Sequence, residues 1–242
     1  MSGHSKWSTI KRAKGAADAK RAAIFTKIAR AITVAAKEKG GDPTTNFGLR
    51  LAIEKAKSAN MPKDNIERAI KKGTGEIESE IIEEIIYEGF GPEQVAIVIK
   101  VLTDNRNRAA QGIKHIFTKQ GGSLGGPNSV MWQFDKKGVI RIDNAQLADK
   151  NLEELELQII DLGTQDIKKT NEALIIYTKV EDLQNVSKGL EDLGIKVEYA
   201  EIEYVPKETI TLTAEQQAKV DKFLEALDDN EDVDDYYTNL QE

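Results

Sequence analysis

No cysteine occurs anywhere in the 242 residues. Disulfides, zinc–thiolate sites and cysteine nucleophiles are therefore excluded, and the composition fits a reducing compartment. Only two histidines are present, His4 and His115, and neither belongs to an H-x-x-x-H or H-E-x-x-H pattern. Zinc catalysis thus lacks ligands, and no metal or other cofactor is expected. No apolar run approaches the roughly 20 residues of a membrane span. The first residues lack the apolar segment of a secretory signal, so a cytoplasmic protein with no membrane partner is expected. No solenoid-length repeat is visible, and no small-molecule substrate is evident.

What is present is charge, unevenly placed. Residues 1–73 hold 17 Lys and Arg against 6 Asp and Glu, a net +11, while residues 74–242 carry a net −18. The overall −7 hides a basic N-terminal module on an acidic body. A basic module attracts phosphate backbones by counterion release, whereas the acidic remainder limits non-specific adhesion. Nucleic acid is accordingly the first candidate partner. The densest part is an arm containing His4, Lys6, Trp7, Lys11, Arg12, Lys14, Lys20 and Arg21, with Asp18 as its one acid. Trp7 offers a face for base stacking or an anchor to the following helices. Lys27 and Arg30 extend the stripe.

Apolar spacing predicts a helix over 17–39, with Ile24, Phe25, Ile28, Ile32, Ala35 and Ala36 on one face and Lys20, Lys27, Arg30 and Lys37 beside it. A second helix is expected over 45–59. A third starts at Pro62, a residue suited to a first helical position, and is closed by Lys71-Lys72-Gly73. Strands are expected over 81–87 and 94–102, around Glu88-Gly89-Phe90-Gly91-Pro92. A helix over 106–119 and a strand over 129–134 follow. Residues 138–205 read as β-α-β-β-α-β, the ferredoxin-like order, with helices over 145–162 and 181–193. A last helix over 213–227 opens on a Thr213–Gln216 capping box. The expected class is α+β in three domains. These are an N-terminal arm plus helical bundle (1–75), a central α+β domain (80–134 with 206–242), and an inserted ferredoxin-like α+β domain (135–205).

Three further features admit two readings each. The loop 121–127, with Gly121, Gly122, Gly125 and Gly126, fails the Walker and dinucleotide patterns by order. It is either a helix C-terminus with a turn or a backbone-exposed contact for RNA. Arg106 and Arg108 sit in a first helical turn, where the dipole disfavours cations. They suit a phosphate contact or a salt bridge to an acidic segment equally. The acidic run 228–235 does not fit an EF-hand. It reads as a solvated tail, or as an intramolecular competitor for the basic arm.

Several of these motifs, in order, resemble the YebC/PmpR family. They are Gly3-His4-Ser5-Lys6-Trp7 with Ile10-Lys11, Asp18-Ala19-Lys20-Arg21, Ile24-Phe25-Thr26-Lys27, and the run Asn60-Met61-Pro62-Lys63-Asp64-Asn65-Ile66. Tyr87-Glu88-Gly89-Phe90-Gly91-Pro92, Thr103-Asp104-Asn105-Arg106-Asn107-Arg108 and the 121–127 loop complete the set. The chain departs from the pattern at Ala13, Gly15 and Ala22-Ala23. The resemblance implies a three-domain fold, no enzymatic activity, and a transcriptional regulator with DNA as partner. Through a mitochondrial translational activator and bacterial members acting on stalled ribosomes, it equally implies a ribosome-associated factor that binds ribosomal RNA. The physical reading leans to RNA: folded RNA offers dense phosphate and unstacked bases, and no helix here matches one that reads base edges.

Overall fold

The structure, a computed structural model, describes residues 18–147, 151–171, 173–197 and 199–241. It is α+β and divides into two compact units, one reaching Phe134 and resuming at Pro206, the other Asp135–Val205.

The first unit opens with three helices, α1 Asp18–Lys39, α2 Phe47–Ser58 and α3 Lys63–Thr74. The expected apolar face of α1 is the buried one: Ile28, Ile32 and Ala36 meet Leu49, Ala56, Met61, Ile66 and Ala69 in a bundle core. Asn46 caps α2 by accepting from the Leu49 N–H at 3.0 Å, and its amide donates to the Ala35 and Gly40 carbonyls. One buried side chain thereby satisfies the end of α1 and the start of α2. Pro62 precedes α3 as its N-cap, and the helix ends at Gly75 with φ +80°, not at Gly73. Gly73 serves a different purpose. A Cβ there would strike the Thr33 carbonyl and Ala36 of α1, so the glycine lets α3 lie against α1.

The same unit contains a four-stranded antiparallel sheet of order β3-β1-β2-β8, built from β1 Glu83–Phe90, β2 Ala96–Thr103, β3 Ser123–Leu124 and β8 Val233–Thr238. Strand β1 runs through Glu88-Gly89-Phe90, which the glycine suggested was a turn. Gly89 is in the strand because a Cβ there would lie 2.5 Å from the Ser123 carbonyl, against Phe117. Two helices, α4 Arg106–Gln120 and α7 Ala214–Asp228, supply the core over this sheet. Ile97, Ile99 and Val101 of β2 bury against Ile113, Phe117, Val220, Phe223 and Leu227. The Phe117 and Phe223 rings meet edge to face at 5.1 Å. Asn105 caps α4 by accepting from Arg108 N, Gly121 ends α4 in the left-handed conformation, and Thr213 and Gln216 make the predicted reciprocal capping box of α7.

The acidic run is not a solvated tail. Val233, Tyr236, Tyr237 and Leu240 are buried, and β8 pairs with β2 through Ile97↔Thr238 and Ile99↔Tyr236. Every residue of this strand is buried except Asp234, which is half-buried and whose carboxylate pairs with Lys100 at 3.1 Å. The density of acids hid a strand enclosed on both faces.

In the second unit the sheet order is β5-β6-β4-β7, with β4 Phe134–Asp143, β5 Asp166–Lys169, β6 Ala173–Thr178 and β7 Tyr199–Pro206. Helices α5 Leu152–Asp161 and α6 Leu183–Asp192 complete the β-α-β-β-α-β order, and the strand order is the ferredoxin-like one. The helix expected from residue 145 begins at Leu152. Asn144–Gln146 instead form a short 3-10 turn nucleated by the Asp143 carboxylate accepting from Ala145 N. Residues 148–150 lie outside the described ones. The strand expected over 129–134 is a turn: Met131–Gln133 are 3-10, and β4 starts at Phe134.

Candidate nucleic-acid interface

The candidate residues separate into three groups. His4, Lys6, Trp7, Lys11, Arg12 and Lys14 lie outside the described residues. Lys20 and Arg21 fall in the first turn of α1, where Arg21 is exposed. Lys27 and Arg30, about two and three turns further on, point elsewhere.

The Lys27 ammonium donates to the Asp228 carbonyl at 2.5 Å. That carbonyl belongs to the last residue of α7, where unpaired carbonyls and the dipole both favour a cation. Burial pushes the Lys27 pKa below its ordinary value, against the pull of Asp228, Asp234 and Asp229. Arg30 donates to the Glu231 carbonyl at 2.7 Å and to Asp232 Oδ1 at 3.2 Å. Asp232 is nearly buried, and it also receives Arg108 in a two-pronged pair, Nε to Oδ2 at 3.1 Å and Nη2 to Oδ1 at 2.7 Å. Such fork geometry is the strong form of a guanidinium–carboxylate contact.

Three cations from α1 and α4 thus converge on residues 228–232, fastening the bundle to the sheet within the first unit. Lys27, Arg30 and Arg108 are committed to this internal clamp and leave the set of external contacts. For Arg108 the geometry is that of the salt-bridge reading. Arg106 pairs at 3.3 Å with Glu83 on the surface, where both side chains stay mostly exposed.

Arg108 also holds Asp104 at 2.6 Å. Asp104 shares a hydrogen bond with Glu80, and with Arg108 alongside, its pKa falls to about 2. The same shared hydrogen bond raises Glu80. These two carboxyls form one wall of an open cleft of about 410 Å³, whose other wall carries Phe25, Met61, Arg68 and Lys72. Arg68, Lys71 and Lys72 are exposed along α3. Sequence reading treated these lysines only as a helix end. The available signal was their spacing, which places Arg68 and Lys72 one turn apart on a single face.

The glycine loop is held from beneath by Glu88. Its buried carboxylate accepts backbone N–H groups from Asn128 (2.8 Å), Val130 (3.0 Å) and Met131 (2.8 Å), and its carbonyl accepts from Gly125 N. Those N–H groups are unavailable to a sheet ladder, which is why 129–133 is a turn and not a strand. Gly122 and Gly125 are tightly enclosed: a Cβ would lie 2.8 Å from the Phe90 carbonyl at the first and would strike the Ser129 side chain at the second. Gly121 supplies the left-handed helix end, and a Cβ at Gly126 would meet open space. The loop delivers one residue that sequence reading passed over, Trp132, which is 67% exposed.

Among the described residues no group of three or more His, Asp and Glu side chains is placed to hold a metal ion. No described helix is long and apolar enough to cross a membrane.

The sequence model described as the TACO1/YebC protein N-terminal domain matches residues 5–76, and that of the TACO1/YebC second and third domain matches residues 82–240. A "probable transcriptional regulatory protein" of Thermotoga petrophila is 50% identical over 241 residues, covering 100% of this chain and 94% of the relative. A protein of the same description from Thermoanaerobacter pseudethanolicus is 48% identical, with 100% and 97% coverage. The crystal structure of a conserved hypothetical protein from Aquifex aeolicus superposes with a TM-score of 0.82 at 43% identity, covering 93% of this chain and 91% of that one. With both family models matched in order along nearly the whole length, the chain belongs to the TACO1/YebC family.

Proposed function

We propose that this protein is a non-enzymatic regulator of gene expression that binds nucleic acid through its basic N-terminal arm and the exposed basic faces of the bundle. The observation that carries this reading is the charge split, +11 in residues 1–73 on a body of −18. Lys27 and Arg30 of α1 are taken into the internal clamp, and the reading rests on the sequence-level charge of the basic residues before them. The relatives' description as transcriptional regulatory proteins supports a regulatory role. An enzyme reading finds no nucleophile–base motif in the sequence.

DNA and ribosomal RNA are the two candidate targets. One observation favours RNA. Base-edge readout uses Arg and Asn side chains at the start of an exposed helix. The helix start that combines them here, at Asn105-Arg106-Asn107-Arg108, has Arg108 forked onto Asp232 and Asn105 engaged as the cap. That helix start is left with Arg106 and Asn107 exposed, and binding chiefly through phosphate and unpaired bases suits folded RNA on the ribosome.

The test is the combined variant Lys11→Ala, Arg12→Ala, Lys20→Ala and Arg21→Ala. Affinity should fall sharply, and the slope of log affinity against log salt should become shallower by about 0.7–0.9 for each phosphate that is no longer neutralised. Unchanged affinity and slope would refute the arm as the binding element. Cross-linking in cells, with sequencing of bound RNA and DNA, then separates the targets: peaks in ribosomal RNA identify a translation factor, and promoter peaks a transcriptional regulator.

A further inference from the structure

We infer that the 121–132 loop is a second contact for single-stranded RNA, in which the Trp132 indole stacks on an unpaired base while Lys207 meets the adjoining phosphate. The inference rests on the nucleic-acid reading above but uses a separate element of the fold. An isolated exposed apolar side chain carries no message by itself. Trp132 differs in how it is held. Its indole N–H reaches the Ser129 carbonyl at 3.3 Å, and its own carbonyl accepts from the Lys207 ammonium at 2.9 Å. The next residue, Gln133, accepts from the Lys207 backbone N–H at 2.9 Å. Below, three N–H groups of the loop close on the Glu88 carboxylate. The ring is therefore presented to solvent on a support whose backbone is already fixed. A base meeting it would cost little further ordering, as preorganised sites require.

The surroundings select the class of partner. The loop beside the ring is made of small and polar residues, Gly125, Gly126, Pro127, Asn128 and Ser129. A protein hot spot instead sets its aromatic anchor within a desolvating ring of contacts. A flat aromatic beside an ammonium is the arrangement that single-stranded nucleic acid uses, because every base has a face to stack and a phosphate next to it. The open space over Gly126 lets a backbone approach closely. Unpaired bases of this kind are the ordinary targets in folded RNA.

Trp7 and Trp132 are the two tryptophans, so Trp7→Phe leaves Trp132 as the sole indole reporter in the full-length chain. A short single-stranded poly-uridylate RNA is titrated into this variant, following emission and, in parallel, anisotropy of the labelled RNA. Quenching with the same midpoint as binding is expected. Trp132→Ala should lower affinity by about tenfold, with Trp132→Phe retaining most of it. The salt slope of Trp132→Ala should stay at the wild-type value, while Lys207→Ala should reduce it by about 0.7. Far-ultraviolet circular dichroism confirms that the variants fold. Tight binding by wild type, with no quenching in Trp7→Phe and undiminished affinity in Trp132→Ala, overturns the stacking site and leaves the arm reading intact. A wild-type protein that does not bind RNA at any salt overturns both. Normal RNA binding by Trp132→Ala together with the disappearance of a cross-linked protein partner assigns the ring to that partner and also overturns the inference.

Discussion

Replacing Asp232 by Ala should loosen the attachment of the bundle to the sheet, and the structure sets the size of the effect. The carboxylate is 8% exposed and receives Arg108 at 50% exposure and Arg30 at 17%. Removing one partner of a fully buried pair costs about 3–5 kcal/mol, because the other charge is stranded. Arg108 is half in water and keeps Asp104, so its stranding is slight. Arg30 keeps the Glu231 carbonyl but loses its counter-charge in a drier place. A loss of about 2–3 kcal/mol follows, weighting the full figure by that partial exposure. For a unit of this size each kcal/mol moves the melting temperature by about 2–4 °C, so a drop of about 4–12 °C is expected. Thermal unfolding of Asp232→Ala, Arg108→Ala and the double variant supplies the cycle. The coupling should be at least about 1 kcal/mol, as for residues in direct contact. A drop under about 2 °C, or additive single effects, would show that the three-way contact does not hold the bundle on the sheet.

Three other perturbations test separate parts of the fold. Glu88→Gln places an amide NH2 among three inward-pointing N–H groups and should cost about 2–4 kcal/mol. Hydrogen exchange should quicken at residues 128–131, whereas unchanged exchange would mean that Glu88 does not pin the loop. Lys27→Ala leaves the Asp228 carbonyl at the end of α7 without its cation and should destabilise by about 1–2 kcal/mol in denaturant titration; a neutral result would remove Lys27 from the clamp. The Asp104 carboxyl, followed by nuclear magnetic resonance, should titrate at about 2 and move up in Glu80→Ala and in Arg108→Ala. Because the folded pKa is depressed, the stability tied to Asp104 is present above the ordinary aspartate pKa of about 4 and is lost as pH falls through about 2. Glu80 is raised and has the opposite sign. A midpoint at the ordinary aspartate value would refute the shared hydrogen bond.

Local chemistry was legible where a segment carries its own period or its own cap. The face of α1 with Ile28, Ile32 and Ala36, the Gly121 helix end and the Thr213–Gln216 capping box all follow from neighbours within one turn. Sequence reading went astray where a residue is chosen for a partner far along the chain. Gly73 and Gly89 look like punctuation but are close-approach positions against Thr33 and Ser123. The 129–134 run has strand-like composition, yet a carboxylate 40 residues upstream takes the Asn128 N–H and the next ones with it. The acidic run 228–235 resembles a tail because Asp234 and Asp235 put charge into its strand, and only pairing with β2, which brings Lys100 to Asp234, accounts for their enclosure.

For the candidate interface the division is the same. By itself, the sequence determined the α+β class, the order of the helices, the family motifs and the basic character of the first 73 residues, because composition and short-range periodicity are additive along a chain. The tertiary structure alone decided that Lys27 and Arg30 turn inward. A lysine's direction depends on what stands opposite it, and for Lys27, Arg30 and Arg108 that is a segment more than 100 residues away. It likewise decided that Trp132 stands in solvent, since exposure is set by what the rest of the fold leaves uncovered.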